Sequence, residues 1–188
     1  MKAKTTPRER VLDTASRLFY EQGYHATGIN QIIAEADVAK ASLYQLFRSK
    51  DELLLEYLEQ QTRAWWADFE TFRAAAPEGK KTLLALLDYR MHLIRDHRYR
   101  GCGFMRIAYE LPELDGAPLA VIRDFKQGVK TFIGAQIKTH LPQLGRQETV
   151  DLIELVTNLY EGSGSQAYVQ RSSKPIEEAK RLLHKFIP

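Results

Sequence analysis

A short stretch of the chain carries side chains of the kinds that read bases in DNA. Lys40 and Gln45 lie five positions apart, with Ala41 and Ser42 between them. In the major groove a lysine can reach guanine acceptors, and a glutamine can pair with adenine. An alanine or a serine methylene can contact a thymine methyl group. The same four residues are also typical of an ordinary solvated helix face, so both interpretations stay open on these residues alone.

Two short helices separated by a tight turn would position these side chains. Apolar periodicity predicts one helix over residues 29–36 and the next over residues 39–47, with only two or three residues around Asp37 between them. This is the spacing of a helix-turn-helix motif. Asp37 is the residue expected at positive φ, because aspartate tolerates that conformation less comfortably than glycine but better than most residues. The apolar side chains expected to lock the two helices together are Ile32, Val38 and Leu43.

Capping boxes mark two further helix starts. Thr6-Pro7-Arg8-Glu9 and Ser49-Lys50-Asp51-Glu52 each place a hydroxyl at the N-cap and a glutamate three residues later, which satisfies free backbone donors reciprocally. Gly23 can close the first helix in a left-handed conformation. We therefore predict a first helix over residues 7–22 and a fourth helix over residues 50–73.

Helical spacing of apolar residues continues through the rest of the chain, and no segment keeps the strict alternation of a strand. Clusters of glycine, proline and serine divide the chain into about nine helices. The last two are predicted over residues 146–171 and 175–187. The predicted fold class is all-α, with the helix-turn-helix in an N-terminal three-helix domain and further helices after it.

Composition and charge exclude several classes of protein. A hydrophobic content of 44% and a charged content of 27% argue against disordered, collagen-like and disulfide-knot chains. Residues 1–50 hold eight basic and five acidic side chains, and residues 51–188 hold nineteen of each, so the net charge of +3 lies in the first quarter, as expected if that quarter faces a polyanion. The chain has a single cysteine, Cys102, and it has neither an apolar leader nor a long uncharged apolar segment. These features predict a cytoplasmic protein that spans no membrane.

The stretch from Arg10 to Leu54 resembles the DNA-binding domain of the TetR family of transcriptional regulators. The residues that carry the resemblance are Ala15, Leu18, Phe19, Gly23, Tyr24, Ala26, Thr27, Ile32, Val38, Leu43, Tyr44, Phe47, Ser49, Lys50, Glu52 and Leu53. Three positions depart from the family pattern. Ile33 stands where a small residue is common, Asp37 where glycine is common, and Leu46 where a polar or aromatic residue often stands.

The resemblance implies a domain organisation and a function. Residues 1–49 would form the DNA-binding domain, and residues 50–188 an effector-binding and dimerisation domain, with helix four as the connecting lever. The implied protein is a sequence-specific regulator, by family default a repressor. It would bind a palindromic operator as a homodimer and be released by a small, largely apolar effector. An effector that prefers the state with wider-spaced recognition helices would remove the protein from DNA.

The resemblance also implies which residues contact DNA. Residues of the second helix of the motif would read bases, and residues on and around that helix would bind phosphates. The predicted base-reading residues are Lys40, Ala41, Ser42 and Gln45. The predicted phosphate contacts are Thr27, Tyr44 and Lys50, of which Thr27 lies next to a helix N-terminus that attracts anions and Lys50 is a movable cation. Thr27 could instead be only a cap, and Tyr44 could serve only in packing. Arg8 could add a nonspecific, salt-sensitive attraction.

Aromatic and apolar residues in the middle of the chain predict an effector pocket, since small-molecule sites are mostly apolar with a few polar anchors. The predicted lining is Trp65, Trp66, Phe69, Tyr89, His92, Phe104, Met105, Tyr109 and Phe125. The alternative is that these residues are plain core. Cys102 lies between two glycines with arginines nearby, which would suit a reactive thiol, and equally a small buried residue at a turn.

The last two helices are the predicted dimer interface. Glycines and serines in the middle of a long helix cost helix propensity, which close approach of a second subunit would offset. The residues expected there are Tyr160, Gly162, Ser163, Gly164, Leu182, Leu183 and Phe186.

Two other functional classes compete with a DNA-binding regulator. An enzyme is disfavoured, because the sequence has no Ser-His-Asp elbow, no metal-ligand spacing and no glycine-rich phosphate loop, so neither a cofactor nor a metal is expected. A ligand-binding or scaffold protein of the same fold without specific DNA binding remains the alternative, which the departures at Asp37 and Leu46 leave open.

Overall fold

The computed structural model describes residues 5–75, 81–110 and 116–186, and within these ranges it contains nine α-helices and no strand. The helices are α1 (Pro7–Glu21), α2 (Ile29–Ala36), α3 (Lys40–Leu46), α4 (Lys50–Ala74), α5 (Lys81–Asp96), α6 (Gly103–Glu110), α7 (Ala117–His140), α8 (Arg146–Gln170) and α9 (Lys174–Phe186). The predicted all-α class is confirmed. The six helices whose bounds were predicted begin and end within one residue of the prediction. No helix in the described ranges is long and apolar enough to cross a membrane.

The chain forms two compact units. The first unit comprises Met1–Ala64 and Gly103–Arg123, and the second comprises Trp65–Cys102 and Asp124–Pro188. α6 therefore belongs to the first unit, whereas α4 and α7 each begin in the first unit and end in the second. The predicted functional division at residue 50 follows a different line along the chain and stays a prediction.

In the first unit, α1 packs against α2 and α3. The capping box at its start is present, because the Glu9 amide donates to the Thr6 hydroxyl at 3.2 Å and the Thr6 amide donates to the Glu9 carboxylate at 2.7 Å. The apolar side chains that this unit buries include Val11, Ala15, Leu18, Phe19, Ile32, Leu43, Phe47, Leu53 and Leu54. Burying one large apolar side chain contributes about 1.5–3 kcal/mol, so this core holds the helix-turn-helix in place.

In the second unit, α5, α8 and α9 pack against one another. In α5 the buried apolar residues include five in a row from residue 83 to residue 87, so more than one side of this helix is covered. In α9 the buried residues Ile176, Ala179 and Leu183 recur at intervals of three and four, as an amphipathic helix predicts. In α8 the buried apolar residues are Val156, Tyr160 and Ala167. An ion pair between Lys180 and Asp88, 2.5 Å long, also joins α9 to α5.

Candidate nucleic-acid interface

One side of α3 is exposed and the other is buried. Leu43 is fully buried and holds α3 against the unit, whereas Tyr44 keeps 44% of its surface exposed and Ser42 is half-buried. The exposed residues, which we call the recognition face, are Lys40, Ala41, Tyr44 and Gln45. The recognition face therefore holds three of the four predicted base-reading residues, with Ser42 at its border.

The turn between α2 and α3 is held by an arginine from α1. Asp37 adopts the left-handed conformation expected of it, with φ 52° and ψ 57°. Arg10 Nε donates to the carbonyl of Ala36 and Arg10 Nη2 to the carbonyl of Asp37, each at 3.0 Å. Carbonyls at a helix C-terminus lack intrahelical donors, and a cation there also suits the helix dipole. The sequence analysis missed Arg10, because its partners lie 26 and 27 positions away.

Arg8, expected to attract DNA nonspecifically, is paired within the unit. Its guanidinium contacts both carboxylate oxygens of Glu56 on α4, and its Cζ lies 5.2 Å from the ring centroid of Phe47. Arg8 thus joins α1 to the residue that ends α3 and to the start of α4. Its charge is largely balanced by Glu56.

Thr27 lies inside the loop that precedes α2. Its side chain is fully buried, and its hydroxyl donates to the carbonyl of Gly23 at 2.7 Å. The predicted phosphate contact through the Thr27 side chain is therefore wrong, because the hydroxyl is out of reach and its proton is already donated. The alternative, that Thr27 serves only local structure, fits this geometry.

Lys50 is also engaged with this loop. Its Nζ donates to the carbonyl of Tyr24 at 2.6 Å and lies 4.0 Å from the centroid of the Tyr24 ring. Burial lowers the pKa of Lys50 below its ordinary value. The hydroxyl of Tyr24 in turn donates to Asp51, next to Lys50. Lys50 is therefore not the movable cation that was predicted, since its ammonium holds the loop against the start of α4.

The last turn of α6 closes on the same loop. Arg106 Nη1 donates to the carbonyl of Tyr20 at 3.0 Å, and Arg106 Nε donates to Glu110 Oε1 at 3.1 Å. The backbone amide of His25 donates to Glu110 Oε2 at 3.1 Å, and His25 Nε2 lies 2.8 Å from the Glu110 carbonyl oxygen. Gly23 has φ +96°, and a Cβ at that position would collide with the Glu110 carboxylate. We call Gly23, His25, Arg106 and Glu110 the α6 latch.

Seven aromatic rings of the second unit form one continuous cluster, with neighbouring ring centroids 4.9 to 6.2 Å apart. The aromatic cluster consists of Trp65, Trp66, Phe69, Phe72, Tyr89, Phe125 and Phe132. It brings together five of the predicted effector-pocket residues: Trp65, Trp66, Phe69, Tyr89 and Phe125. His92 is exposed and stacks on Phe72, with ring centroids 5.8 Å apart.

The other three predicted pocket residues lie on α6, in the first unit. They are Phe104, Met105 and Tyr109. Tyr109 exposes 76% of its surface, so its prediction as a pocket-lining residue is wrong. Phe104, Met105 and Tyr109 do not all lie on one face of α6. The periodicity of apolar residues did not reveal which side of this helix is covered by the rest of the unit.

Most of the predicted dimer residues are covered within their own chain. Tyr160, Ser163, Gly164 and Leu183 are buried. Arg90 of α5 lies against two of them, Tyr160 and Gly164. Its Cζ is 4.1 Å from the Tyr160 ring centroid, and a Cβ at Gly164 would collide with its guanidinium. The dimer assignment of these four residues is therefore wrong, and the small residues of α8 make room for Arg90.

The remaining three predicted dimer residues are less covered. Gly162 is exposed, with nothing within 4 Å of where its Cβ would be, and Leu182 is half-buried. The side chain of Phe186 lies outside the described part of the structure. Gly162 shares a helix face with Leu155 and Val169, seven positions away on either side, which are exposed over 50% and 71% of their surfaces. We call Leu155, Gly162 and Val169 the outer stripe of α8.

A groove of about 420 Å³ lies where α7 meets α8. It is lined by Lys138, Leu141, Pro142, Leu144, Arg146, Thr149, Val150 and Ile153. None of the predicted effector-pocket residues lines it. Within the described ranges, no group of three or more His, Cys, Asp or Glu side chains could hold a metal ion. Cys102 is half-buried directly before α6, and both interpretations of its role stay open.

Comparison with known proteins agrees with this geometry. Residues 11–57 match the family model described as bacterial regulatory proteins, tetR family. An uncharacterized HTH-type transcriptional regulator of Bacillus subtilis, YxaF, is 53% identical over 57 residues, which is 30% of either chain. The HTH-type transcriptional repressor NemR of Escherichia coli is 22% identical over 92% of this chain and 89% of its own length.

Two solved structures resemble the whole chain. The crystal structure of a regulator from Streptomyces coelicolor, SCO4454, has a TM-score of 0.76 at 27% identity and covers 93% of this chain and 94% of that one. The crystal structure of the reduced form of Escherichia coli NemR has a TM-score of 0.80 at 22% identity and covers 97% of this chain and 98% of that one. The similar proteins are transcriptional regulators. The residues that match the family model include the recognition face.

Proposed function

Because this chain belongs to the TetR family of transcriptional regulators, we propose that it is a repressor acting in the cytoplasm. It binds a palindromic operator as a homodimer and leaves the operator when a small, largely apolar effector binds. The observation that carries the proposal is the recognition face, which places Lys40, Ala41, Tyr44 and Gln45 in solvent on a helix held by a buried Leu43. A helix of this kind enters the major groove with three or four side chains at base edges.

Each residue of the recognition face has a distinct role in this proposal. Lys40 contacts guanine acceptors, Gln45 pairs with adenine, and Ala41 contacts a thymine methyl group, with Ser42 beside it. Tyr44 binds a phosphate through its exposed hydroxyl. Lys50 contributes positive potential to the same surface, although its ammonium is bound to the loop.

The outer stripe of α8 supports the homodimer. An exposed leucine and an exposed valine flank a glycine at intervals of seven residues, which lets the backbone of a second helix approach closely at Gly162. Two recognition helices in such a dimer must meet half-sites about 34 Å apart or a multiple of that distance. The dimer would be disrupted by Val169→Glu, whereas Tyr109→Glu, at an exposed aromatic residue of α6, should leave it intact in sedimentation experiments.

The α6 latch offers a route for effector release. Its residues hold the loop that leads directly into α2, so the helix-turn-helix and α6 share one hydrogen-bonded junction. An effector that favours a state with α6 displaced would loosen this junction. Operator binding then weakens by population shift, since the ligand prefers the state that fits DNA less well.

A DNA-selection experiment on the purified protein at physiological salt tests the proposal. Enrichment of an inverted repeat is the expected result. On the selected site, Gln45→Ala should lose about 1–3 kcal/mol of binding energy without affecting nonspecific DNA. Lys50→Ala should weaken binding to every sequence, because it removes positive potential and releases the loop that the ammonium holds. Gln22→Ala changes an exposed glutamine outside the recognition helix and serves as the matched control.

Two results would contradict the proposal. Equal weakening of all sequences by Gln45→Ala would remove Gln45 from base reading. A folded dimer that enriches no DNA sequence would favour the ligand-binding or scaffold alternative, and the turn residue Asp37 and the neighbouring Leu46 would then be examined first.

A further inference from the structure

A group of charged side chains in the second unit carries more positive charge than its carboxylate can balance. Arg90 of α5, Lys126 of α7 and Glu161 of α8 meet there. Lys126 Nζ donates to both carboxylate oxygens of Glu161 at 2.8 Å. In the described ranges Glu161 is also the carboxylate that pairs with Arg90, at 3.7 Å from Nη2, too far for a hydrogen bond. Two cations thus share one carboxylate, and Lys126 holds it.

The guanidinium that lacks a close carboxylate is the buried one. The side chain of Arg90 is only 11% exposed, against 23% for Lys126 and 32% for Glu161. An arginine stays charged when buried, and a buried charge is unfavourable unless an opposite charge compensates it. Arg90 instead stacks on the ring of Tyr160, 4.1 Å from its centroid. The Arg90 guanidinium therefore shares Glu161, its carboxylate partner in the described ranges, with Lys126.

The Tyr160 hydroxyl is hydrogen-bonded by the Arg90 guanidinium but brings no negative charge to it. Burial raises the pKa of Tyr160 to about 12, so its hydroxyl stays protonated at neutral pH. The charged group also adjoins the aromatic cluster, because Lys126 Nζ lies 5.9 Å from the ring centroid of Phe125. A ligand that supplied a carboxylate to Arg90 would thus find aromatic rings beside it.

The chain is built to accommodate this guanidinium. Gly164 and Ser163 lie in the middle of α8, where alanine would give a more stable helix. A Cβ at Gly164 would collide with Nε and Nη2 of Arg90. The helix therefore gives up propensity to accommodate a cation whose carboxylate partner among the described residues, Glu161, is held mainly by Lys126.

We propose that Arg90 anchors an anion site and that the effector is a small aromatic carboxylate. The paired N–H donors of an arginine guanidinium match the two oxygens of a carboxylate. A lysine ammonium matches them less well, because it is a point charge. The aromatic cluster supplies the apolar contact for the ring of the ligand. Describing this ligand as the effector rests on the proposed function, whereas the binding site itself does not.

A matched pair of ligands tests the site on the intact protein without DNA. 2-Naphthoate and 2-naphthamide share a ring system and differ in charge. Both tryptophans of the chain, Trp65 and Trp66, belong to the aromatic cluster, so their fluorescence reports on binding there, and calorimetry gives the dissociation constants. We expect the carboxylate to bind about tenfold or more tightly than the amide, as a charge-assisted pair predicts.

Three variants locate the site. Arg90→Gln should abolish the preference for the carboxylate. Glu161→Gln removes the carboxylate that competes for the guanidinium, so 2-naphthoate should bind several-fold more tightly while the amide is unaffected. A gain of affinity cannot come from misfolding, which keeps the test decisive even if Arg90→Gln is unstable. Arg146→Gln removes a cation from the groove between α7 and α8 and serves as the matched control.

The outcomes separate the proposals. Equal binding of 2-naphthoate and 2-naphthamide to the unchanged protein would overturn the anion site. The anion site would also be overturned if the preference for the carboxylate survived Arg90→Gln or disappeared in Arg146→Gln. It would likewise be overturned if Glu161→Gln did not strengthen the binding of 2-naphthoate. If the carboxylate preference follows Arg90 but no DNA is enriched in selection, the anion site is supported and the repressor proposal fails. If 2-naphthoate binds at Arg90 and also releases the operator, its role as an effector is supported.

Discussion

Replacing Gly23 with alanine perturbs the α6 latch at its most crowded point. Two costs arise in the folded state. At φ +96° an L-residue is strained by about 1–2 kcal/mol relative to glycine. The new Cβ would also collide with the Glu110 carboxylate, which must then leave the amide of His25, and hydrogen bonds to charged groups contribute about 1.5–3 kcal/mol. Because Glu110 is partly exposed, we expect a total loss of about 2–4 kcal/mol in unfolding free energy.

Urea unfolding followed by circular dichroism measures this loss, and a double-mutant cycle separates its two parts. In a Glu110→Ala background the collision is absent, so Gly23→Ala should lose only the conformational part, about 1–2 kcal/mol. Gly28→Ala is the matched control, because Gly28 lies in the same loop, has φ −84° and has nothing within 4 Å of its Cβ position. A loss no larger than that of Gly28→Ala, or one that is unchanged without Glu110, would refute the latch geometry.

The remaining predictions concern the turn at Asp37, the contact between Gly164 and Arg90, and the loop that contains Tyr24. Asp37→Gly should be more stable than Asp37→Ala by about 1 kcal/mol in urea unfolding, because the left-handed conformation suits glycine and strains alanine. Equal stabilities would contradict that strain. Gly164→Ala should lower the thermal midpoint in the natural chain, because the new Cβ collides with Arg90, but raise it in an Arg90→Ala background, where helix propensity favours alanine by up to about 1 kcal/mol. A change of the same sign in both backgrounds would argue against close packing of Arg90 on Gly164. Tyr24→Phe should cost about 1 kcal/mol of unfolding free energy, because it removes the hydrogen bond to Asp51, and an unchanged denaturation midpoint would show that this bond adds nothing.

Local features of this chain were predictable because their causes lie within a few residues. The Thr6–Glu9 capping box, the α2 and α3 helices and the left-handed Asp37 all follow from side chains and backbone groups that are neighbours along the chain. The same holds for the recognition face. Once Leu43 is assigned to the core, the helical repeat places Ala41 and Gln45 on the opposite side of α3, and Lys40 is exposed at the first residue of the helix.

Residues whose partners are distant in sequence were assigned wrongly or missed. Tyr160 and Gly164 were placed at a dimer interface, since small residues in a long helix indicate close approach without showing what approaches. The approaching group is Arg90, at least 70 positions earlier in the chain. Arg10 was missed for the same reason, because nothing near it indicates that its guanidinium caps the end of α2.

The amino-acid sequence by itself determined the helices, their ends, the helix-turn-helix and the face of α3 that meets solvent, because helix periodicity, capping and backbone strain act over a few residues. Only the tertiary structure decided that Thr27 and Lys50 hold a loop and that Glu110 contacts that loop. It also decided that Arg90 of α5 is buried against α8, where it shares Glu161 with Lys126. These assignments depend on which helix faces meet. Periodicity shows that a face is buried, but many neighbours could cover it equally well.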